Sequence, residues 1–523
     1  MKRKLPGETD PDDRLHSNPD RTDQAIIDGH RESLSAHHQE MDQATLGKRA
    51  RLGIVALVIR SLILQGAVFA GNIILARILS PSDFGIFGIT QFVLAFFIFI
   101  GDAGLGGALV QRRNPPNQRE LSSIFCFQIL IALVVIATVW LGAPYILKLW
   151  PDLPDGSVML LRVLSLGLLF TILKVIPSIQ MERELLFGRL AAIEVIQSLV
   201  FYGFAVVLAF QGWGVWALVG SALIQMIVGA VTANFFRPWR PSLVLDRALI
   251  QPIVAFGIPY QFKNVVGFIN SAVSPIYAGR ILGTTGLGYI NWAQTTGFLP
   301  VKIVEIIGRV SFPLFSRLHH DRAVFAETLG RSILICSLGT FFLAGFFCGL
   351  GPNLVRLVWS EKWLPAVPLL YVYATAITIG FVSPIVGAAF DAAGHPQIFA
   401  RLAFGWTLLN WICVVYATPR WGITGFAVGY CLHVVLGNVA LLILIRWVVP
   451  GTQVLKKIWP GALAGAGVFI LSSFTASWVT SLGRLALIGL ADFILFGIIM
   501  LPLNYQEVKA ALSLLPSRTD EKP

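Results

Sequence analysis

Apolar runs near twenty residues long recur along almost the whole chain from Leu52 onward, and no other feature restricts its fold as strongly. A helix rises about 1.5 Å per residue, so each run can cross the roughly 30 Å hydrocarbon layer of a bilayer. A buried soluble core would not need so many. Composition agrees: 55% of residues are hydrophobic, 13% are charged and mean hydropathy is +0.73, far from a soluble average. The pattern predicts an all-α integral membrane protein of about fourteen transmembrane helices, near 52–74, 85–110, 121–147, 158–180, 191–211, 214–236, 249–275, 284–308, 326–351, 366–388, 398–418, 422–446, 457–480 and 485–503. Glycine and proline inside these spans are tolerated, because neighbouring helices and cavity water can satisfy the freed backbone groups. A membrane barrel would show short alternating strands instead.

Residues 1–50 differ from the rest: polar, and carrying eight Lys/Arg against ten Asp/Glu. This tail is expected to be disordered and cytoplasmic, and the first apolar run comes too late for a secretory signal. The net charge of +12 therefore belongs to the membrane region, which argues against nucleic acid as a partner. The five cysteines all fall inside apolar runs without metal-site spacing and read as small buried hydrophobes. No cofactor or metal is implied.

Basic residues in short loops set orientation. Lys48, Arg49 and Arg51 precede the first span and place the N-terminus in the cytoplasm. With an even span count, the loops that become cytoplasmic hold fifteen Lys/Arg and the opposite loops hold seven. Both termini of this multi-pass chain are therefore expected on the cytoplasmic side.

The two halves also repeat. Ala76-Arg77-Ile78-Leu79 followed by Phe84-Gly85 returns as Gly279-Arg280-Ile281-Leu282 followed by Leu287-Gly288, at a constant offset of 203. The same offset superposes Arg60 on Lys263 and Gln91 on Gln294. Trp213-Gly214-Val215 returns as Trp421-Gly422-Ile423 at offset 208. The offset spans six helices, an even number, so the copies share one membrane orientation and form a parallel pseudo-repeat. The expected organisation is a tail (1–50), an N-lobe of spans one to six (51–237), a C-lobe of spans seven to twelve (248–447), a C-terminal helix pair (456–504) and a cytoplasmic C-terminal tail (505–523), with a central cavity between the lobes.

Several stretches carry a family resemblance: residues 74–85 (ILARILSPSDFG), Gly101-Asp102-Ala103-Gly104-Leu105, Leu109-Val110-Gln111-Arg112, Leu121-Ser122-Ser123 and Glu361-Lys362-Trp363-Leu364-Pro365-Ala366. In order and placement at span ends, the chain from about Arg51 to Tyr505 resembles the polysaccharide-transport family of the multidrug/oligosaccharidyl-lipid/polysaccharide exporter superfamily. The resemblance implies a flippase, not an enzyme. It implies alternating access and an undecaprenyl-pyrophosphate-linked oligosaccharide as substrate, moved from the cytoplasmic to the periplasmic leaflet for exopolysaccharide or lipopolysaccharide biosynthesis. A polysaccharide polymerase and export machinery are the implied partners.

Such a cargo needs cations for its pyrophosphate and amides or hydroxyls for its sugars. Intramembrane cations are therefore informative, since an unpaired one costs about 2.5–3.5 kcal/mol at a helix centre. Arg60 and Lys263 occupy matching places in the repeat and are expected to line the cavity, with snorkelling to the headgroups as the alternative. Lys174 lies deep in span four. Lys302 sits three residues before Glu305, close on one helix; Glu305 either neutralises Lys302 and Arg309 or couples transport to an ion. Glu194 in span five stands between the same structural and coupling roles. Gln65 with Asn72, and Lys263 with Asn270, each lie seven residues apart and make a polar stripe on the first span of a lobe. These stripes, with Gln91 and Gln294, suit sugar hydrogen bonding and helix packing equally.

The rivals are a membrane saccharide polymerase or lipid-donor glycosyltransferase, and a multidrug exporter of the same superfamily. The short loops and lack of a paired-carboxylate site disfavour the first. The excess of basic over acidic intramembrane residues disfavours the second.

Overall fold

The computed structural model describes residues 63–102, 116–301, 304, 314–318, 320–451 and 453–504, all within one compact unit, Ser61–Pro523. The described residues form no strand. The helices are α1 (Ile63–Ile78), α2 (Pro81–Asp102), α3 (Gln118–Ile146), α4 (Ser157–Arg183), α5 (Phe187–Phe210), α6 (Val215–Phe236), α7 (Arg247–Ala272), α8 (Gly283–Gly297), α9 (Arg322–Val358), α10 (Val367–Gly380), α11 (Val382–Ala392), α12 (Pro396–Val448), α13 (Val454–Thr475) and α14 (Leu482–Leu503). Among the described residues, ten helical segments are long and apolar enough to span a bilayer. In these, α10 and α11 belong to one segment, Glu361–Ala392, and α12 counts once. The figure of fourteen spans also draws on residues outside the described ones.

Large apolar side chains such as Leu487, Phe493 and Ile498 on α14 point outward and exposed. That surface suits hydrocarbon as its solvent, whereas a soluble monomer rarely presents so broad an apolar face.

Local chemistry sets the helix ends. The second span begins at Pro81, four residues before the Gly85 expected from hydropathy. Ser80 and Asp83 explain the early start: the Ser80 amide donates to the Asp83 carboxylate at 2.8 Å and the Asp83 amide to the Ser80 hydroxyl at 3.2 Å. This is a reciprocal cap with proline at the first helical position, where its missing N–H costs nothing. The seventh span leaves regular α-helix after Ala272 and continues as a π-turn, Val273–Ala278. The two Trp-Gly repeats adopt one backbone geometry: Gly214 has φ 53°, ψ −133° and Gly422 has φ 57°, ψ −135°. Only glycine enters that region without strain, and at Gly422 it breaks the 53-residue α12 in two.

The offset-203 repeat becomes a physical contact where α2 crosses α8. A Cβ on Gly85 would overlap the carbonyl oxygen of Thr284, and a Cβ on Gly288 would overlap that of Pro81. Pro81 and Thr284 are themselves 203 residues apart, so each copy's glycine receives the other copy's carbonyl. Between them, Gly88 faces the Asn291 side chain, its own repeat mate, and the Ser82 and Thr284 hydroxyls share a hydrogen bond of 2.8 Å. Reciprocity of this kind is the signature of a two-fold relation. Small residues let the backbones approach, the usual basis of helix association in lipid.

Gly85→Ala and Gly288→Ala should each overpack this crossing and cost about 1–3 kcal/mol. Gly203→Ala on α5, where a Cβ meets nothing within 4 Å, should be neutral or stabilising. Thermal unfolding in detergent checks this; a wild-type melting temperature for Gly85→Ala would contradict the crossing.

Candidate functional site: a polar cavity between the repeats

Beside the α2–α8 crossing lies a cavity of about 350 Å³ bounded by α1, α2, the α8 end and the α9 C-terminus. Gln65, Asn72, Asn291, Gln294, Thr295 and Thr296 supply its polar lining, and Phe69, Phe84, Trp292 and Trp359 its aromatic part. The lining holds no acid and no base among the described residues. Two of its amides are held in place. Asn72 donates to the Val68 carbonyl at 2.8 Å and to the Tyr202 hydroxyl at 3.2 Å, while Gln294 donates to the Tyr373 hydroxyl at 3.3 Å. Tyr373 is fully buried, so its hydroxyl is a fixed anchor.

Beyond the aromatic wall, the α1 and α9 ends interlock. The Arg77 guanidinium donates to the carbonyls of Val358, at 2.7 Å, and Leu357, two of the carbonyls the end of α9 leaves unpaired. In return Lys362 donates to the carbonyls of Arg77 at 2.9 Å and Leu79 at 2.6 Å, closing the end of α1. Cations at helix C-termini also meet the negative end of the helix dipole. Trp363, fully buried and stacked on Trp292 at 5.3 Å, donates its indole N–H to the Ala76 carbonyl at 2.8 Å.

A matching tryptophan works in the other direction. Trp150, just after α3, donates to the Pro275 carbonyl at 2.7 Å and lies against Gly279, the repeat mate of Ala76. Each half thus clamps the repeat motif of the other with a buried indole. Together with the glycine crossing, the clamps close this end of the cavity.

Gln65, Asn72 and Gln294 come together at this cavity, although Gln294 is more than two hundred residues from the other two. Asn270 lines a second cavity and accepts a 3.0 Å hydrogen bond from the Asn410 amide. Gln91 is half-buried on α2 and lines neither cavity. Lys174 on α4 donates to the Gln197 carboxamide oxygen at 3.0 Å and is attracted electrostatically by Glu194; both residues lie on α5. Gln197 passes the link on to the Gln225 carbonyl at 3.1 Å, so this cluster ties α4, α5 and α6. Lys263 lies in α7, but its side chain is outside the described residues, as are Arg60, Lys302 and Glu305. Sequence reasoning missed Asn291, Thr295, Thr296, Trp292 and Trp359. The polar run Asn291-Trp292-Ala293-Gln294-Thr295-Thr296 was the available signal.

A family described as polysaccharide biosynthesis protein matches residues 74–368, more than half of the chain. The chain belongs to this family. Among its relatives, the teichuronic acid biosynthesis protein TuaB of Bacillus subtilis (strain 168) is 26% identical over 58% of this chain and 62% of TuaB, so the match spans under two thirds of that protein. The lipopolysaccharide biosynthesis protein WzxC of Escherichia coli (strain K12) is 24% identical over 73% of this chain and 77% of its own length. The succinoglycan biosynthesis transport protein ExoT of Rhizobium meliloti (strain 1021) is 24% identical over 73% and 76%. Among solved structures, the lipid II flippase MurJ in an inward closed conformation superposes with a TM-score of 0.70 at 15% identity, covering 87% of this chain and 99% of that one. This family member therefore shares the MurJ fold.

Trp363→Phe keeps an aromatic ring but a smaller one, and leaves the buried Ala76 carbonyl without its donor; the lost bond alone should cost about 1–3 kcal/mol. Differential scanning fluorimetry in detergent tests this. An unchanged unfolding temperature would show that the indole N–H adds nothing to the closed end.

Proposed function

We propose that this protein is a flippase that carries an undecaprenyl-pyrophosphate-linked oligosaccharide from the cytoplasmic to the periplasmic leaflet of a bacterial inner membrane. It is a transporter, not an enzyme, and it serves exopolysaccharide or lipopolysaccharide biosynthesis. The observation that carries this reading is the cavity between the repeats, with anchored amides, hydroxyls and aromatic rings and no charged group in its described lining. Convergent neutral hydrogen-bonding groups against aromatic faces suit a hydroxyl-rich glycan far better than a cationic drug. The names of the relatives, which speak of polysaccharide biosynthesis and transport, support the same cargo.

Spans one to six (51–237) and seven to twelve (248–447) are the moving lobes. With the N-terminus in the cytoplasm, as the loop charges favour, the glycine crossing and tryptophan clamps lie at the periplasmic end. Alternating access then opens these contacts and closes the lobes at the opposite end. Arg60 and Lys263 bind the pyrophosphate, with Lys302 as a further cation; Gln65, Asn72, Asn270 and Gln294 meet the sugars, and Glu305 and Glu194 serve coupling, whereas Gln91 and Lys174 line neither cavity and are left with packing roles. The prenyl chain stays in lipid, the only phase it tolerates. A polymerase and export machinery then receive the translocated glycan.

Transfer of a labelled lipid-linked oligosaccharide in proteoliposomes is the test. Arg60→Ala and Lys263→Ala should each slow transfer by roughly tenfold to a hundredfold, the worth of a charge-assisted hydrogen bond. Wild-type rates in both variants would remove the cationic site. No transfer by the wild type across several glycans would refute flipping.

A further inference from the structure

A third cavity, of about 560 Å³, lies where the start of α9 meets the turn between α12 and α13, and it shares no lining residue with the other two. Arg322, Glu327 and Gly330 of α9 line one side, and Pro450, Gln453 and Lys457 the other. From this point inward the two helices pack closely. A Cβ on Gly330 would press on the Lys457 stem, one on Gly461 would overlap the Ser337 side chain, and one on Gly345 the Gly465 carbonyl. The cavity is thus the open end of the α9–α13 seam.

Tryptophan marks its level in the membrane. Trp447, 81% exposed, precedes the turn, and Trp459, 48% exposed, follows it. Indoles exposed at span ends sit at the membrane–water interface, so the turn lies at the depth of lipid headgroups. Charge there is mostly positive: Arg322, Arg331, Lys456 and Lys457 stand against Asp321 and Glu327. Both acids are already engaged. Glu327 accepts from the Arg331 guanidinium at 2.7 Å, and Asp321 caps α9 by accepting from the Ala323 and Val324 amides at 3.0 Å and 3.1 Å. Arg322 forms no ion pair with any described residue.

The lining selects an anion. Arginine and lysine side chains only donate, and the Gln453 amide can donate beside them. A ligand must therefore accept several hydrogen bonds and carry negative charge. A phosphodiester without a compensating ammonium group meets both demands, and a guanidinium with an ammonium beside it is the usual way to hold one. We propose that this cavity binds the headgroup of an anionic phospholipid from the surrounding leaflet. Depth decides the source: the cavity lies at the headgroup layer, where the phosphodiesters of an anionic leaflet are concentrated. Held between Arg322 and Lys457, the headgroup ties α9 to α13 across the open end of their seam. The site does not depend on the cargo, and it stands or falls apart from the saccharide reading.

Native mass spectrometry of the full chain in detergent, titrated with phosphatidylglycerol or phosphatidylcholine, tests this through the affinity for the first bound lipid. Phosphatidylglycerol should bind the wild type about tenfold more tightly than phosphatidylcholine. Arg322→Gln and Lys457→Gln should each weaken it about fivefold, the worth of one basic residue near an anionic lipid surface, and leave phosphatidylcholine unchanged. Arg401→Gln, which removes an exposed cation near the start of α12 outside the cavity, should alter neither affinity. Equal affinity for the two lipids, wild-type affinity for phosphatidylglycerol in both cavity variants, or an equal loss in Arg401→Gln would overturn the site. Two competitors identify the occupant. Glycerol 3-phosphate at the lipid's concentration should not displace it; displacement would make this a site for soluble phosphate and overturn the lipid assignment. A polyprenyl pyrophosphate that bound more tightly than phosphatidylglycerol, and lost affinity in the same variants, would give the cavity to the transported lipid and overturn it as well.

Discussion

The crossing of α2 over α8 is the contact on which the rest of the structure depends. Two glycines, Gly85 and Gly288, accept each other's neighbouring backbone carbonyls at a distance no side chain allows. In lipid the helices gain little by hiding apolar surface from each other, so close backbone packing must supply much of their association. A tight crossing at one level also forces the helices apart at another. The cavity opens where that divergence begins, between α1 and the end of α8, and Asn291 reaches from the crossing into it.

The two tryptophan clamps extend the same logic to the helix ends. A helix leaves its last carbonyls unpaired, and in a membrane protein water cannot always satisfy them. Here Trp363, Arg77 and Lys362 satisfy them across the α1–α9 junction, and Trp150 does so at the π-turn after α7. These bonds are few, directional and shared between the halves. An arrangement of that kind can be released as a unit, unlike an apolar interface whose loss is gradual. The aromatic wall built on Trp292, Trp359 and Trp363 belongs at once to the closed end and to the cavity.

Much of this was legible in the chain, and the exceptions have physical reasons. Span positions follow from apolar length, a local property, and where they shifted a local cap was responsible: Ser80 and Asp83 start α2 four residues early. The polar stripe of Gln65 and Asn72 was visible from its seven-residue spacing, and so was Gln294 from the repeat. Gln91 matched Gln294 by the same offset, yet it lines neither cavity; a two-fold relation equates positions in the fold without giving them equal surroundings. Trp359 was not singled out, because a lone indole gives no sign of which neighbour it will face; Asn291 was overlooked although it opens a polar run in the sequence.

By itself the sequence determined the solvent, the helical class, the doubled organisation and the kind of cargo worth considering. Apolar length, charge placement and repetition are written along the chain, and a bilayer leaves few ways to satisfy them. Only the tertiary structure decided which glycine meets which carbonyl, which indole closes which helix, and which amides converge on a common space. Those outcomes depend on crossing angles and depths between segments some two hundred residues apart, which no local pattern encodes.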